Sequence, residues 1–127
     1  MISTTLNASI NKDYCVKNTS RDHTWISDEP ISIGGTNNGP KPTELLLSSL
    51  ASCKLITLQM YAQRKGWTVE KADIQLTIVG KEEKLIVEKS VQIEGDLTDD
   101  QIKRLIDISG RCPVAKMLSN SIEIKLL

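Results

Sequence analysis

The sequence predicts an α+β domain in which helices pack on one face of an antiparallel sheet. Three observations carry that expectation. Residues 45–62 form an apolar stretch of helical length, residues 73–80 and 84–95 alternate with a period of two, and turn-forming residues separate the segments. The 127 residues make one domain, expected over 1–127. A chain of this size buries roughly 68% of its unfolded surface, enough for a core without disulfides or metal.

The elements follow in order. Residues 2–28 read as short strands: "TTLNASI" alternates loosely, "DYCVK" has strand composition, and "HTWIS" follows the polar turn "NTSRD". Next comes "DEPISIGGTNNGPKP", residues 28–42, with three Pro and three Gly in fifteen positions. This is an irregular loop. A loop of this length in a small domain is usually functional, so it is expected to border the pocket of the helix thiol and to move more than the helix it feeds.

Thr43 is expected to cap a helix from Glu44 to Lys65, with Gly66 as its stop and Arg64 and Lys65 in the last turn. Between Leu45 and Ala62 this helix has no broad polar face, and a helix apolar nearly all round must be covered all round. The other elements of one chain are too few for that, which points to a partner subunit. Lys54 near the middle, four hydroxyl residues and Gln59 make the stretch a buried helix rather than a bilayer span.

"DIQLTIVG" and "KLIVEKSVQIEG" read as a hairpin turning at "GKEEK". Leu85, Val87, Val91 and Ile93 share one face; Glu88, Ser90, Gln92 and Glu94 share the other. "LTDDQI" is a capping box: Thr98 at the N-cap, Gln101 reaching back, Leu97 stapled to Ile102. That helix runs to about Gly110 with Ile102, Leu105 and Ile106 inward. "CPVAKML" restarts a helical turn with Cys112 at the N-cap and Pro113 at N1. "SIEIKLL" alternates again and reads as a last strand.

Composition excludes several functions. Sixteen basic and sixteen acidic residues leave no net field toward nucleic acid or a membrane surface. Four aromatics (Tyr14, Trp25, Tyr61, Trp67) and no Lys/Arg cluster argue against base stacking or a phosphate footprint. "MISTTLNASINKDYC" is not a signal peptide, and three cysteines, an odd number, point to free thiols in a reducing cytoplasm. One histidine, His23, and no Cys-x-x-Cys give no metal-ligand spacing; no metal or cofactor is expected. A nucleophile elbow and a phosphate-binding Lys-Ser/Thr loop are both missing from the sequence.

The thiols remain. A lone Cys in an apolar helix is usually a packing residue. Cys53, however, has hydroxyl side chains close by, Lys54 beside it, and the Gly/Pro loop just upstream. Cys112 stands where a helix N-terminus and Arg111 both favour a thiolate. Cys15 has nothing near it in sequence to recruit it and reads as packing; His23 reads as a surface residue.

These segments resemble the OsmC/Ohr family of osmotically inducible and organic-hydroperoxide-resistance proteins. The resemblance rests on "DEPISIGGTNNGPKPTELLLSSLASCKLITLQMYAQRKGW" and "RCPVAKML", and it covers nearly the whole chain in order. It is nearest the small OsmC-like subgroup with DEP, GG, GP and RKGW in this order. The resemblance implies an intertwined homodimer, with antiparallel sheets wrapped around two long central helices and active sites at the interface. It further implies thiol-dependent reduction of organic hydroperoxides, with Cys53 as peroxidatic thiol, Cys112 resolving it as a disulfide, and a lipoyl-type dithiol as reductant.

Two positions depart from the family. Thr43 stands where a Glu activates the peroxidatic thiol, with Glu44 one residue later, about 100° around a helix. In the region of the activating Arg, Lys12 is the only cation, and Arg21 is a more distant candidate; Lys lacks the planar fork of Arg. The alternative reading is a non-enzymatic dimer that binds an apolar or thiol-reactive small molecule. An enzyme needs thiols that can close to a bridge; a binding module needs a roomy pocket with the thiols apart.

Overall fold

Alternation and tight turns build the first part of the chain. In the computed structural model, residues 3–127 are described; Met1 and also Ile2, with which the strand-rich segment is expected to open, lie outside them. Strands β1 (Asn7–Lys12), β2 (Cys15–Ser20) and β3 (His23–Ser27) form an antiparallel meander in the order β1-β2-β3. The turns are shorter than the sequence indicates. Asn18, Thr19 and Ser20 belong to β2, so "NTSRD" turns only at Arg21 and Asp22. Asp13 and Arg21 adopt left-handed φ values of 55° and 51° at the two turns, a conformation that Asp tolerates more readily than most residues. Asn18 is buried because its amide has work inside the sheet: it donates to the Ser27 hydroxyl at 3.0 Å and to the Val16 and Trp25 carbonyls.

The Gly/Pro segment contains one 3-10 turn, Ile31–Ile33, and then leads into helix α1 (Pro42–Lys65). α1 begins two residues before the expected start. Pro42 occupies its first position, where a missing N–H costs nothing. The Leu45 N–H donates to the Lys41 carbonyl, and the Lys41 N–H to the Glu44 carboxylate at 3.0 Å. Lys41 is therefore the cap, Glu44 reaches back to it, and Thr43 lies inside the first turn. The far end is a Schellman motif: Trp67 N–H to the Ala62 carbonyl, Gly66 N–H to the Gln63 carbonyl, Gly66 at φ 72°.

The chain forms two compact units, Met1–Leu46 and Leu47–Leu127, the division falling within α1. In the second unit β4 (Lys71–Lys81) pairs antiparallel with β5 (Lys84–Glu94) through a two-residue turn, Glu82 and Glu83. Helix α2 (Asp99–Ser109) opens on the expected capping box, with Thr98 accepting from the Gln101 N–H at 3.2 Å and Gln101 from the Thr98 N–H at 2.9 Å. Helix α3 (Pro113–Ser119) follows, with Cys112 at its N-cap.

Leu58, Ala62 and Leu105 form the core where α1 and α2 meet, and Trp67, Val69, Ala72, Ile93 and Leu97 pack against it. Leu58 and Leu105 are fully buried, each contributing on the order of 2 kcal/mol of apolar transfer. The helices thus cover one face of the hairpin. Along β4 that face is half-buried while Lys71, Asp73, Gln75 and Thr77 on the other are exposed.

One expected strand is absent. Residues 121–127 are exposed and irregular, with Ile124 94% accessible. A strand needs a neighbour to take its N–H and C=O groups, and within the described residues no other strand pairs with this one. The alternation of "SIEIKLL" is real; what it lacks is a partner edge.

Candidate thiol site

A period of four decides what α1 hides. Leu50, Lys54, Leu58 and Ala62 fall on one stripe and are buried. Cys53 lies one step around the helix from that stripe and is half-buried. Ile56 and Met60, three and seven residues after it, are 58% and 49% exposed. Cys53 therefore belongs to an apolar face that its own chain leaves largely open. By length and composition α1 is long and apolar enough to cross a bilayer, but its buried stripe carries a lysine.

That lysine is what the sequence reading misplaces. Lys54 looks like a charge beside Cys53, yet it turns inward and is only 6% exposed. Its ammonium donates to the Ser109 carbonyl at 3.5 Å, at the C-terminus of α2. A cation there meets the negative end of the helix dipole. The spacing Leu50, Lys54, Leu58 was the available signal.

Cys112 stands three residues beyond Ser109 and is fully buried. Its side chain accepts no cap hydrogen bond, while its carbonyl accepts the Lys116 N–H. Arg111, expected to favour a Cys112 thiolate, is paired instead with Asp107 at 2.8 Å. Asp107 also takes Arg104 at 3.3 Å. Arg104 in turn donates to the Tyr61 hydroxyl at 3.2 Å, which holds the Tyr61 phenol below its usual range.

The other candidates lie in the first unit. Lys12 pairs in register with Cys15, and both line a shallow hollow of about 270 Å³ with Lys17, Ser9, Asn11 and Ile26. Cys15 thus has two lysines for company, both of them close to it in sequence. Arg21 is exposed at the β2–β3 turn. Thr43 is exposed, and the Glu44 carboxylate is occupied by the Lys41 N–H. His23 is exposed at the start of β3.

Sequence reasoning missed Asp28. Its carboxylate, 2% exposed, accepts from the Glu29 N–H (2.7 Å), the Thr36 hydroxyl (2.6 Å), the Thr36 N–H (3.3 Å) and the Asn38 N–H (3.1 Å). Its own N–H donates to the Pro40 carbonyl. The Gly/Pro loop is wrapped around one anion. Gly35 and Gly39 are required because an added Cβ would run into the carbonyls of Glu29 and Ile26. The Thr36 hydroxyl above all, then the three backbone donors, lowers the Asp28 carboxyl to about 2 from 3.8, against the opposing effect of burial.

The folded value lies below the unfolded one, so this contribution is complete above pH 3.8 and disappears as pH falls toward 2. The Thr36 and Asn38 amides should lose hydrogen-exchange protection across that window. Asp28→Asn, which turns an NH2 toward a ring of donors, should expose them at neutral pH, speeding exchange by about tenfold or more. Unchanged protection of Asn38 in that variant would refute the carboxylate-centred account of the loop.

Comparison with known proteins identifies the family and the fold. The family model described as OsmC-like protein matches residues 35–127. The uncharacterized Bacillus subtilis protein YmaD is 26% identical over 110 residues, spanning 76% of this chain and 72% of that protein. The crystal structure of an OsmC-like protein from Mycoplasma pneumoniae superposes with a TM-score of 0.79 at 26% identity, covering 93% of this chain and 88% of that one. The organic hydroperoxide resistance protein OhrB of Bacillus subtilis shares the fold at a TM-score of 0.66 and 18% identity, covering 98% and 96% of the two chains. A half-buried Cys on the long helix, a buried Cys112 opening the Cys-Pro-Val turn and these matches lead to one conclusion: the chain belongs to the OsmC-like protein family.

Proposed function

We propose that this chain works as a cytoplasmic, homodimeric thiol peroxidase acting on organic hydroperoxides, with Cys53 and Cys112 as its redox pair and no cofactor. The observation that carries the reading is a tether. Lys54, next to Cys53, holds the Ser109 carbonyl, three residues before Cys112. The turn that bears one thiol is thus linked to the segment that bears the other. Relatives of the same fold are named for organic hydroperoxide resistance.

The chemistry follows from the two environments. The Cys53 thiolate attacks the outer oxygen of ROOH, the O–O bond breaks, and the alkoxide leaves as ROH after taking a proton. Cys53 becomes a sulfenic acid, oxidised by two electrons. The Cys112 thiol then attacks the sulfenic sulfur, forming the S–S bond and releasing water. A dithiol of the lipoyl type returns both thiols by two exchanges and becomes a cyclic disulfide itself. Full burial of Cys112 suits the second role, since it shields that sulfur from direct contact with a bulky peroxide.

The test is anaerobic titration of the reduced protein with cumene hydroperoxide, followed by peptide mass analysis. One equivalent should produce a Cys53–Cys112 bridge. Both thiols remaining free after several equivalents would reject the redox pair. A second reading, a binding dimer without peroxidase chemistry, draws on a cavity in the Leu47–Leu127 unit whose lining includes neither thiol.

A further inference from the structure

The redox reading uses the ammonium of Lys54 only as a tether to Ser109, which engages one of its three N–H donors. An exposed lysine makes three hydrogen bonds to water; Lys54 has been withdrawn from water almost completely. Among the described residues it makes one long donation, to Ser109, and no carboxylate pairs with it. Burying a cation with so little compensation is expensive. The C-terminus of α2 offsets part of that cost by its dipole, but a single carbonyl at 3.5 Å leaves two N–H donors to be satisfied.

Lys54 also lines a cavity of about 390 Å³, within the size range of small-molecule sites. Leu50, Leu76, Val87 and Leu118 form apolar walls, and Lys89 supplies a second ammonium. The two cations converge on one point of the backbone: Lys54 reaches Ser109, and Lys89 extends toward its neighbour Gly110. Among the described residues neither forms an ion pair. Two ammonium groups without an ion pair, in a hollow whose other walls are mainly aliphatic side chains, are complementary to a carboxylate on an apolar body. A neutral apolar molecule would leave the cations unanswered; inorganic phosphate would leave the walls unused.

We propose that this cavity is a binding site for a small amphiphilic carboxylic acid, its carboxylate held by Lys54 and Lys89 and its hydrocarbon by Leu50, Leu76, Val87 and Leu118. Neither thiol lines the site, so it does not depend on the peroxidase reading. Occupancy gives Lys54 the charge partner that the chain itself does not supply. Because the carboxylate is bound at a buried cation, its contribution resists salt more than that of a surface pair.

The probes are decanoate and decanol, of equal chain length and different head group, titrated into the full-length protein by calorimetry and followed by leucine methyl NMR. Decanoate should bind at least about tenfold more tightly than decanol, the typical gain of a charge-assisted hydrogen bond. It should shift the methyl resonances of Leu76 and Leu118. Lys54→Met, which keeps the side-chain volume, should bring decanoate down to the affinity of decanol; Lys89→Met should lower it by a smaller factor. Cys53→Ser should leave both affinities unchanged. If Lys54→Met fails to fold, Lys89→Met and the comparison of the two probes on the wild type still decide. Equal affinities for decanoate and decanol, or no saturable decanoate binding, would show that Lys54 only closes the end of α2, and the proposal falls.

Discussion

Cys53→Ser is expected to abolish consumption of organic hydroperoxide, a loss on the order of a hundredfold or more, while the fold is retained. A hydroxyl at neutral pH has almost no nucleophilic anion, whereas a thiol is intrinsically reactive and partly ionised. Cys53 is half-buried within its own chain, and serine is close to cysteine in volume, so the replacement neither opens a cavity nor overpacks the helix. Cys112 is different. It is fully buried, and a serine hydroxyl there without an acceptor costs about 1–3 kcal/mol. Cys112→Ala is the cleaner variant. It should still consume the first equivalent of peroxide, after which Cys53, with no resolving thiol, proceeds to sulfinic acid and the enzyme stops. Cys15→Ser should change neither step. The readouts are the peroxide remaining in a colorimetric assay and the mass of the Cys53 peptide, heavier by two oxygens in Cys112→Ala. Equal turnover by wild type and Cys53→Ser would end the catalytic reading and leave the binding dimer.

The parts of this molecule legible from sequence are those whose physics is local. The capping box at Thr98 and Gln101 and the Gly66 stop each involve residues a few positions apart, and both form as expected. The β4–β5 hairpin is equally local, with only its turn tightened to Glu82 and Glu83. The start of α1 shifted by two residues because Glu44 reaches back to Lys41, making Thr43 a helical residue rather than a cap.

What the sequence did not disclose depends on distant partners. Asp28 gathers donors from Thr36 and Asn38 across a loop that by composition alone looked loose. Arg111 pairs with Asp107, so its charge is engaged beside α2 and not available to Cys112 alone. Lys54 was read as company for Cys53 because they are adjacent, but adjacent helix residues diverge by about 100°, and its neighbours are four residues away. The places of Cys53 on the long helix and Cys112 at a helix start were legible; their surroundings were not.

Ile56→Glu is expected to convert the protein from a dimer to an unstable monomer. Within the chain, α1 buries only the stripe of Leu50, Lys54, Leu58 and Ala62. Cys53, Ile56 and Met60 repeat at intervals of three and four, the spacing of a helix–helix seam, and Ile56 is 58% exposed. Among the described residues, 121–127 alternate in sequence but are exposed and pair with no strand. Both features would be answered if a second copy laid its long helix against this one and the C-terminal segment of each chain found a strand edge. Interfaces of this interlocked kind exceed about 2,000 Å², and the subunits do not persist alone. Sedimentation of the wild type should therefore give twice 14.1 kDa at micromolar concentration. The amides of Ile122, Ile124 and Leu126 should exchange slowly. In Ile56→Glu two carboxylates would be forced into the apolar seam, each costing several kcal/mol unless protonated, and the dimer should dissociate. A folded wild-type species of 14.1 kDa at that concentration would rule the dimer out. Because Cys53 stands one helical turn from Ile56 on the same face, peroxide turnover per chain should fall in step with the dimer fraction as either protein is diluted. Turnover that persisted in the monomer would place the whole reacting site within one chain.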